Sequence, residues 1–349
     1  MRSHRKRAPT TEWRVAVWGG GAVVAAALLF SAVLAREAAV PTGFEVVATG
    51  VPRPLQLALD HHTLVVLGLG ARGDFAGEIH RLDLDGPLPI DVSHRPRVRV
   101  PFLDARLATL GSLALEPATR DVFLGEENGR RVYRLDGDER LTLYVDGLRR
   151  LAGGSALSFD GAGRLVLVDH ADPHISPEHE RLPSGLEQFR DEDYRGPLVF
   201  RLTLDPTLPL PRRIDRIPPL FPRAWGGRAG GAMLPRLVAA APLGDSLVVL
   251  SSGGALYRIG ADLQLAPFAT LPHGQYLRIN IVTAPDGGLF VSGGFTVAML
   301  FHVSLEGRVT TLAGPLGDPQ GLALDADGRL YVAESSLHRI VRLRVRAGG

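Results

Sequence analysis

Apolar and polar positions along this chain recur as one unit: an apolar strand, a turn, a second apolar strand, a short loop and a third strand. Near the C-terminus the unit reads GLALDADGRLYVAESSLHRIVRLRV, from Gly321 to Val345. Strand-like triplets open it at Leu57–Leu59, Leu113–Leu115, Ala156–Ser158, Leu237–Ala239, Asn280–Val282 and Leu322–Leu324, and second runs begin at Leu64, Val122, Leu165, Leu247, Leu289 and Leu330. The second runs lie 58, 43, 82, 42 and 41 residues apart. Most of these spacings match the roughly 40 to 45 residues of a four-stranded propeller blade, so the two long ones hold insertions.

Fourth strands are predicted at Leu141–Asp146, Leu265–Thr270 and Arg308–Ala313, each just before a following unit. The last unit has none, yet Gly43–Gly50 (GFEVVATG) carries the fourth-strand pattern ahead of the first unit. A strand from the N-terminal side that completes the last blade seals the ring and leaves no open sheet edge. The pattern therefore predicts an all-β fold over residues 43–349: a six-bladed β-propeller with four-stranded blades.

The segment Asp318-Pro319-Gln320-Gly321-Leu322-Ala323-Leu324-Asp325, followed by Gly328-Arg329-Leu330-Tyr331-Val332-Ala333-Glu334, resembles an NHL-type repeat. The six-unit layout is similar to the wider group of NHL, SMP-30/gluconolactonase and sugar-dehydrogenase-like propellers. As architecture the likeness spans residues 43 to 345, and the last unit matches closely. Such a motif specifies a blade rather than an activity.

Composition agrees, with 41 glycines and 26 prolines against 6% aromatics, which suits many turns and short strands. The formal charge of +2 is uneven: residues 1 to 36 carry Arg2, Arg5, Lys6, Arg7, Arg14 and Arg36 against Glu12, a local +5 that leaves the remainder at −3. The basic balance belongs to the tail, and nucleic acid is set aside as a partner. There is no cysteine, and Lys6 is the sole lysine. Thiolate nucleophiles, disulfides, Cys-bound zinc, iron–sulfur clusters and c-type haem are excluded, as is a Schiff-base lysine in the folded domain.

Val15–Ala35 gives 21 positions without a charge, enough to cross a hydrocarbon core of roughly 30 Å at about 1.5 Å per residue. The basic residues ahead of it predict a cytoplasmic tail over 1–14, and Trp13 and Trp18 suit the membrane interface. A cleaved signal peptide competes, since Val33-Leu34-Ala35 resembles a cleavage site, but the run exceeds the roughly 7 to 15 residues of a signal h-region. The expectation is a single-pass protein of the cytoplasmic membrane. One transmembrane helix over 15–35 and a tether over 36–42 then hold the propeller outside, in the periplasm or extracellularly.

In the propellers that the layout resembles, ligands bind around the central channel, at the face where the loops entering the innermost strands gather with those joining second and third strands. Aligned second strands end at Gly68, Glu126, Asp169, Ser251, Gly293 and Glu334, with Glu127, Asn128 and His170 adjacent. Glu126, Asp169 and Glu334 are thus candidate ligands for Ca²⁺ or another divalent metal, and Asp169, His170 and Glu126 candidate acid–base groups. The competing reading has these carboxylates bonding turn amides. Loops ahead of the innermost strands add Arg53, Arg106, Arg149, Arg150, Arg228, His273, Gln275, Tyr276 and Gln320. Of these, Arg53, Arg149, His273 and Gln320 are the candidate contacts to an anionic or sugar-like ligand.

Two insertions lie in the long gaps or beside them. Residues His170 to Arg195 hold seven acidic and three basic residues with His170, His174 and His179, and read as a lid or interaction loop. Pro173 and Pro177 keep two of those histidines from sharing a helical face. Pro218 to Pro235 is a second long connection, glycine-rich with Trp225. The formal GxGxxG from Gly68 to Gly73 lacks a following helix and is a blade loop.

Three functions fit. The first is a small polar ligand site, sugar or lactone-like, with metal-assisted hydrolysis; the resemblance to SMP-30 implies it, although that family's metal motifs do not match here. The second is an oxidoreductase similar to sugar dehydrogenases, holding pyrroloquinoline quinone (PQQ) beside Ca²⁺. The third is a non-catalytic scaffold that presents a protein partner with the propeller face.

Overall fold

Apolar runs that do not alternate become covered on both faces. Val122–Glu126 and Leu165–Asp169 are buried throughout, whereas the outer strand Leu141–Asp146 mixes buried, partly buried and exposed positions and Leu265–Thr270 has partly buried and exposed ones. This gradient from channel to rim is the signature of blades packed face to face around an axis.

The computed structural model describes residues 42–69, 75–102, 107–169, 197–221 and 236–345. Strands are numbered in chain order. β1 (Phe44–Thr49) precedes blade one, which is β2 (Pro54–Asp60), β3 (Thr63–Gly68), β4 (Gly77–Asp83) and β6 (Val98–Val100), with β5 (Ile90–Asp91) between the last two. Blade two is β7 (Leu110–Leu115), β8 (Val122–Glu126), β9 (Val132–Leu135) and β10 (Leu141–Asp146). Blade three is β11 (Leu157–Phe159), β12 (Leu165–Asp169) and β13 (Leu198–Leu202), followed by β14 (Arg212–Arg213). Blade four is β15 (Leu237–Leu243), β16 (Ser246–Ser251), β17 (Ala255–Ile259) and β18 (Leu265–Thr270). Blade five is β19 (Ile281–Thr283), β20 (Leu289–Ser292), β21 (Leu300–Val303) and β22 (Val309–Ala313), and blade six begins with β23 (Pro319–Leu324), β24 (Arg329–Glu334) and β25 (Arg339–Arg344).

The ring closes as the pattern predicts. β1 pairs antiparallel with β25, from Phe44↔Leu343 to Thr49↔Arg339, and so becomes the fourth strand of blade six. β5 adds a parallel pair outside β1. Two details differ from expectation. Blade three has three strands among the described residues, because β14 runs parallel to β10 and becomes a fifth strand of blade two. The second strand of blade five ends at Ser292, one residue before the expected Gly293.

Hairpin turns between first and second strands explain several acidic residues. Asp160 Oδ1 accepts the amides of Ala162 and Arg164, both at 3.0 Å, and Asp325 Oδ1 accepts those of Asp327 and Arg329 at 3.0 and 2.8 Å. Carboxylates spent on turn amides in this way are structural.

The innermost strands of three blades are bonded to one another where blade three begins. Ser155 donates its amide to the Ile279 carbonyl at 2.9 Å, its Oγ accepts the Ile281 amide at 2.9 Å, and its own carbonyl accepts the Ala240 amide at 2.9 Å. Blade three is thereby tied to blades four and five. Gly154 has φ +70°, and a Cβ there would stand 1.9 Å from the Ile279 oxygen, so no other residue fits this contact.

Among the described residues no helix is long and apolar enough to cross a membrane. The run at 15–35 lies outside them, as do Arg106, Arg228 and His170 with the rest of its insertion.

Candidate site at the channel mouth

Where each innermost strand begins, the backbone follows one recipe. In blades one, two, four and six the residue just past the second strand donates its amide to the residue just ahead of the first: Leu69 to Arg53, Glu127 to Thr109, Ser252 to Arg236 and Ser335 to Asp318, at 2.8 to 3.2 Å. A bulge follows at once in all four, between Pro54/Gln56, Leu110/Ser112, Leu237/Ala239 and Pro319/Leu322. Bulges beside an anchored residue re-aim its side chain. By this rule Arg53, Arg236 and Asp318 are equivalent positions of three blades.

All three line a cavity of ≈450 Å³ to which every blade contributes. Blade one gives Arg53; blade two Glu127 and Asn128; blade three Ala152 and Gly153; blade four Arg236 and Val238. Blade five supplies Gln275, Leu277 and Arg278 ahead of β19, and Phe295 and Thr296 from the single-turn helix Gly294–Val297; blade six supplies Asp318 and Gln320. Arg53, Asn128, Arg278 and Asp318 have φ between 42° and 55°, the left-handed region that non-glycine residues avoid.

Charge is paired unevenly. Arg278 Nε meets Glu127 Oε1 at 2.6 Å. Asp318 Oδ2 accepts from Gln320 Nε2 at 2.7 Å, while Asp318 Oδ1 and Gln320 Oε1, both buried, have no hydrogen-bond donor among the described residues. Burial pushes the Asp318 carboxyl above its usual range, opposed by the Gln320 bond and by the charges of Arg278 and Arg53. A rim of Phe295, 78% exposed, and Leu277, 38% exposed, gives the mouth an apolar edge.

The expected site residues divide. Arg53 and Gln320 line the cavity, with Glu127, Asn128 and Gln275 beside them. Arg149 and His273 do not: the Arg149 side chain turns to Asp169, with Nε 3.6 Å from Oδ2, and His273 is exposed outside the lining. The three carboxylates at strand ends are each taken up locally. Glu126 accepts from the Tyr133 hydroxyl at 2.7 Å and the Arg130 amide at 3.2 Å. Asp169 accepts the amides of Arg149 and Arg150, both at 2.9 Å, and burial raises its carboxyl against the pull of Arg149 and those amides. Glu334 accepts the Gly317 amide at 2.8 Å and pairs with Arg339. Among the described residues no three His, Asp or Glu side chains gather to hold a metal ion. The donor set expected for Ca²⁺ on Glu126, Asp169 and Glu334 is therefore not assembled.

Arg236, Arg278 and Asp318 were not among the candidates. The signal that finds two of them is the residue immediately ahead of each innermost strand, which the strand-end alignment passed over.

Residues 316–343 match the NHL repeat. No curated protein matches the sequence. Among solved structures the chain is similar to a gluconolactonase from Xanthomonas campestris at 18% identity, over 87% of this chain and 89% of that one, with a TM-score of 0.55. It is also similar to a Thermus thermophilus protein described as an oxidoreductase of glucose dehydrogenase type, at 19% identity over 86% and 99% with a TM-score of 0.53. A third, described as a gluconolactonase, gives 14% identity over 87% and 93% with a TM-score of 0.54. At these identities the likeness is one of fold. The NHL-type repeat and the six-bladed architecture expected from the sequence are both present.

Proposed function

We propose that the cavity binds a small polyhydroxylated acid or its lactone at the channel face. The observation that carries this reading is the lining itself: Arg53, Arg236 and Arg278 together with Asp318 and Gln320, one acceptor oxygen of each of the last two lacking a donor among the described residues. Guanidinium groups suit a carboxylate or a lactone carbonyl, and unfilled acceptors call for hydroxyl donors. The volume of ≈450 Å³ falls within the roughly 300 to 1,000 Å³ of small-molecule sites. The likeness to gluconolactonase-type propellers supports the reading as an analogy of fold.

Lactone opening is the reaction class such a ligand offers. Water adds to the ring carbonyl, the ring C–O bond breaks, and a proton passes from the water to the departing oxygen. The arginines would face the oxyanion as it forms. The described residues supply no donor set for a divalent ion, so no step is assigned to one. The quinone reading draws no support from His273, which stands outside the cavity.

We also place the propeller outside the cytoplasm on a single-pass anchor. The support is the run of Arg2, Arg5, Lys6, Arg7 and Arg14 against Glu12 ahead of the span and the 21 uncharged positions at 15–35. A C-terminal reporter that is active solely outside the cytoplasm tests the placement.

Calorimetric titration of the full chain with D-gluconate and D-glucono-1,5-lactone tests the ligand class. Saturable binding that weakens about tenfold or more in Arg278→Ala is expected, since a hydrogen bond to a charged group contributes about 1.5 to 3 kcal/mol. Absence of heat and of thermal stabilisation with either compound overturns the reading.

A further inference from the structure

Among the large apolar side chains left exposed in the described residues, Leu277 and Phe295 belong to the cavity lining, and Phe295 is the most exposed of all and the one aromatic. Single exposed apolar residues are ordinary. These two differ in that each stands close to a residue that buries itself and holds the segment in place. Beside Leu277, Tyr276 is 0% exposed, its amide donates to the Ser252 carbonyl at 2.9 Å and its hydroxyl to the Pro272 carbonyl at 2.7 Å. Two residues past Phe295, Val297 packs against the core. The turn Gly294–Val297 is tied on two sides. Thr296 Oγ1 donates to the Gln275 carbonyl, and Ala298 donates its amide to the Gly294 carbonyl at 3.0 Å while its own carbonyl accepts the Leu316 amide at 2.8 Å. Ala298 has φ 56°, a left-handed conformation that costs a residue with a Cβ. The turn thus accepts strain while it points the smaller valine inward and the larger phenylalanine outward, the reverse of what burial alone would select.

We propose that Phe295, with Leu277 on the adjoining loop, is the platform on which a ring-closed ligand lays its C–H face, so that the cavity takes cyclic sugar acids and lactones in preference to open-chain acids. The inference rests on the reading of the cavity as a polyhydroxy-acid site and adds ring selection to it. A six-membered sugar or lactone ring gathers C–H bonds on its faces while its hydroxyls project around the edge. An open chain carries hydroxyls along its length and has no continuous apolar face. The electron-rich face of an aromatic ring attracts the slightly positive C–H bonds, and stacking removes both apolar surfaces from water. Arg278, the residue after Leu277, shares the lining with the platform and is placed to meet the acidic or carbonyl end of the same ligand. Opening of a lactone destroys the flat face, so the ring-closed substrate is held more tightly than its open product, which keeps the polar contacts alone.

Titrations of the full chain with methyl β-D-glucuronide, whose ring is locked, and with D-gluconate, an open chain that also bears a carboxylate, test the platform. The glucuronide is expected to bind more tightly, to lose about tenfold in affinity in Phe295→Ala and to recover it in Phe295→Tyr, while gluconate is indifferent to both changes. Gluconate bound as tightly as the glucuronide, or Phe295→Ala weakening both ligands alike or neither, overturns the platform and leaves the cavity reading standing. Binding of neither ligand to the unaltered chain overturns both. Phe295 is 78% exposed, so its replacement leaves the packing of the fold in place.

Discussion

Four side chains around the cavity, Arg53, Asn128, Arg278 and Asp318, are carried on left-handed backbone, a conformation each residue adopts at some cost. Asp318 bears a second cost, its buried carboxyl. Because that carboxyl holds its proton to higher pH when folded than when unfolded, the native state binds the proton more tightly. The penalty is absent below the unfolded value and complete above the folded one. Asp318→Asn should therefore gain stability relative to the natural chain as pH rises from about 4 to about 7. Denaturant unfolding at both values checks this, and a difference independent of pH refutes it. Gly154 is the opposite kind of residue, valued for what it lacks. With φ +70° and Ile279 O at 1.9 Å from a would-be Cβ, Gly154→Ala should cost about 3 kcal/mol or more. The place of Arg53, just ahead of β2, and of Gln320, the second residue of β23, beside the cavity could be read from the spacing of the strand starts, whereas the directions of Arg149 and His273 could not, since a side chain's direction depends on partners such as Asp169 that spacing does not reveal.

At the scale of the strand, the second-strand carboxylates act as clasps between neighbouring segments. Asp169 ends β12 and holds the amides of Arg149 and Arg150 with the Arg149 side chain, and both side chains of the ion pair are buried. Asp169→Ala leaves a buried cation and two amides without their carboxylate, and a loss of about 3 to 5 kcal/mol is expected in denaturant unfolding. A change below about 1 kcal/mol would count against the clasp. The outer and second strands were the most legible: β10 and β18 coincide with their expected spans, and β8, β12 and β20 begin where the apolar runs do, whereas β2, β7 and β23 begin three residues ahead of their expected triplets. Blade three escaped this reading. Its insertion interrupts the repeat, and the two residues of β14, too short to leave a periodic mark, go to blade two.

For the molecule as a whole, closure by β1 is the long-range bond on which the ring depends. Removal of residues 1–49 deletes β1 and bares the β25 edge, whereas removal of 1–41 leaves the paired strand in place. The longer deletion should lower the melting temperature and yield aggregates on size-exclusion chromatography, and the shorter should do neither. Six units could be counted because each second strand carries an apolar run and three of the five spacings between those runs, 43, 42 and 41 residues, agree. The cavity could not be, because it is assembled from single residues of all six blades.

The tie of Gly154 and Ser155 to Ile279 carries a mechanical consequence. Through it blade three is bonded to blade five as well as to its neighbour, blade four. A fluctuation that parts the seam between blades three and four must therefore break the bonds to blade five too, so that opening of one seam is coupled to the next.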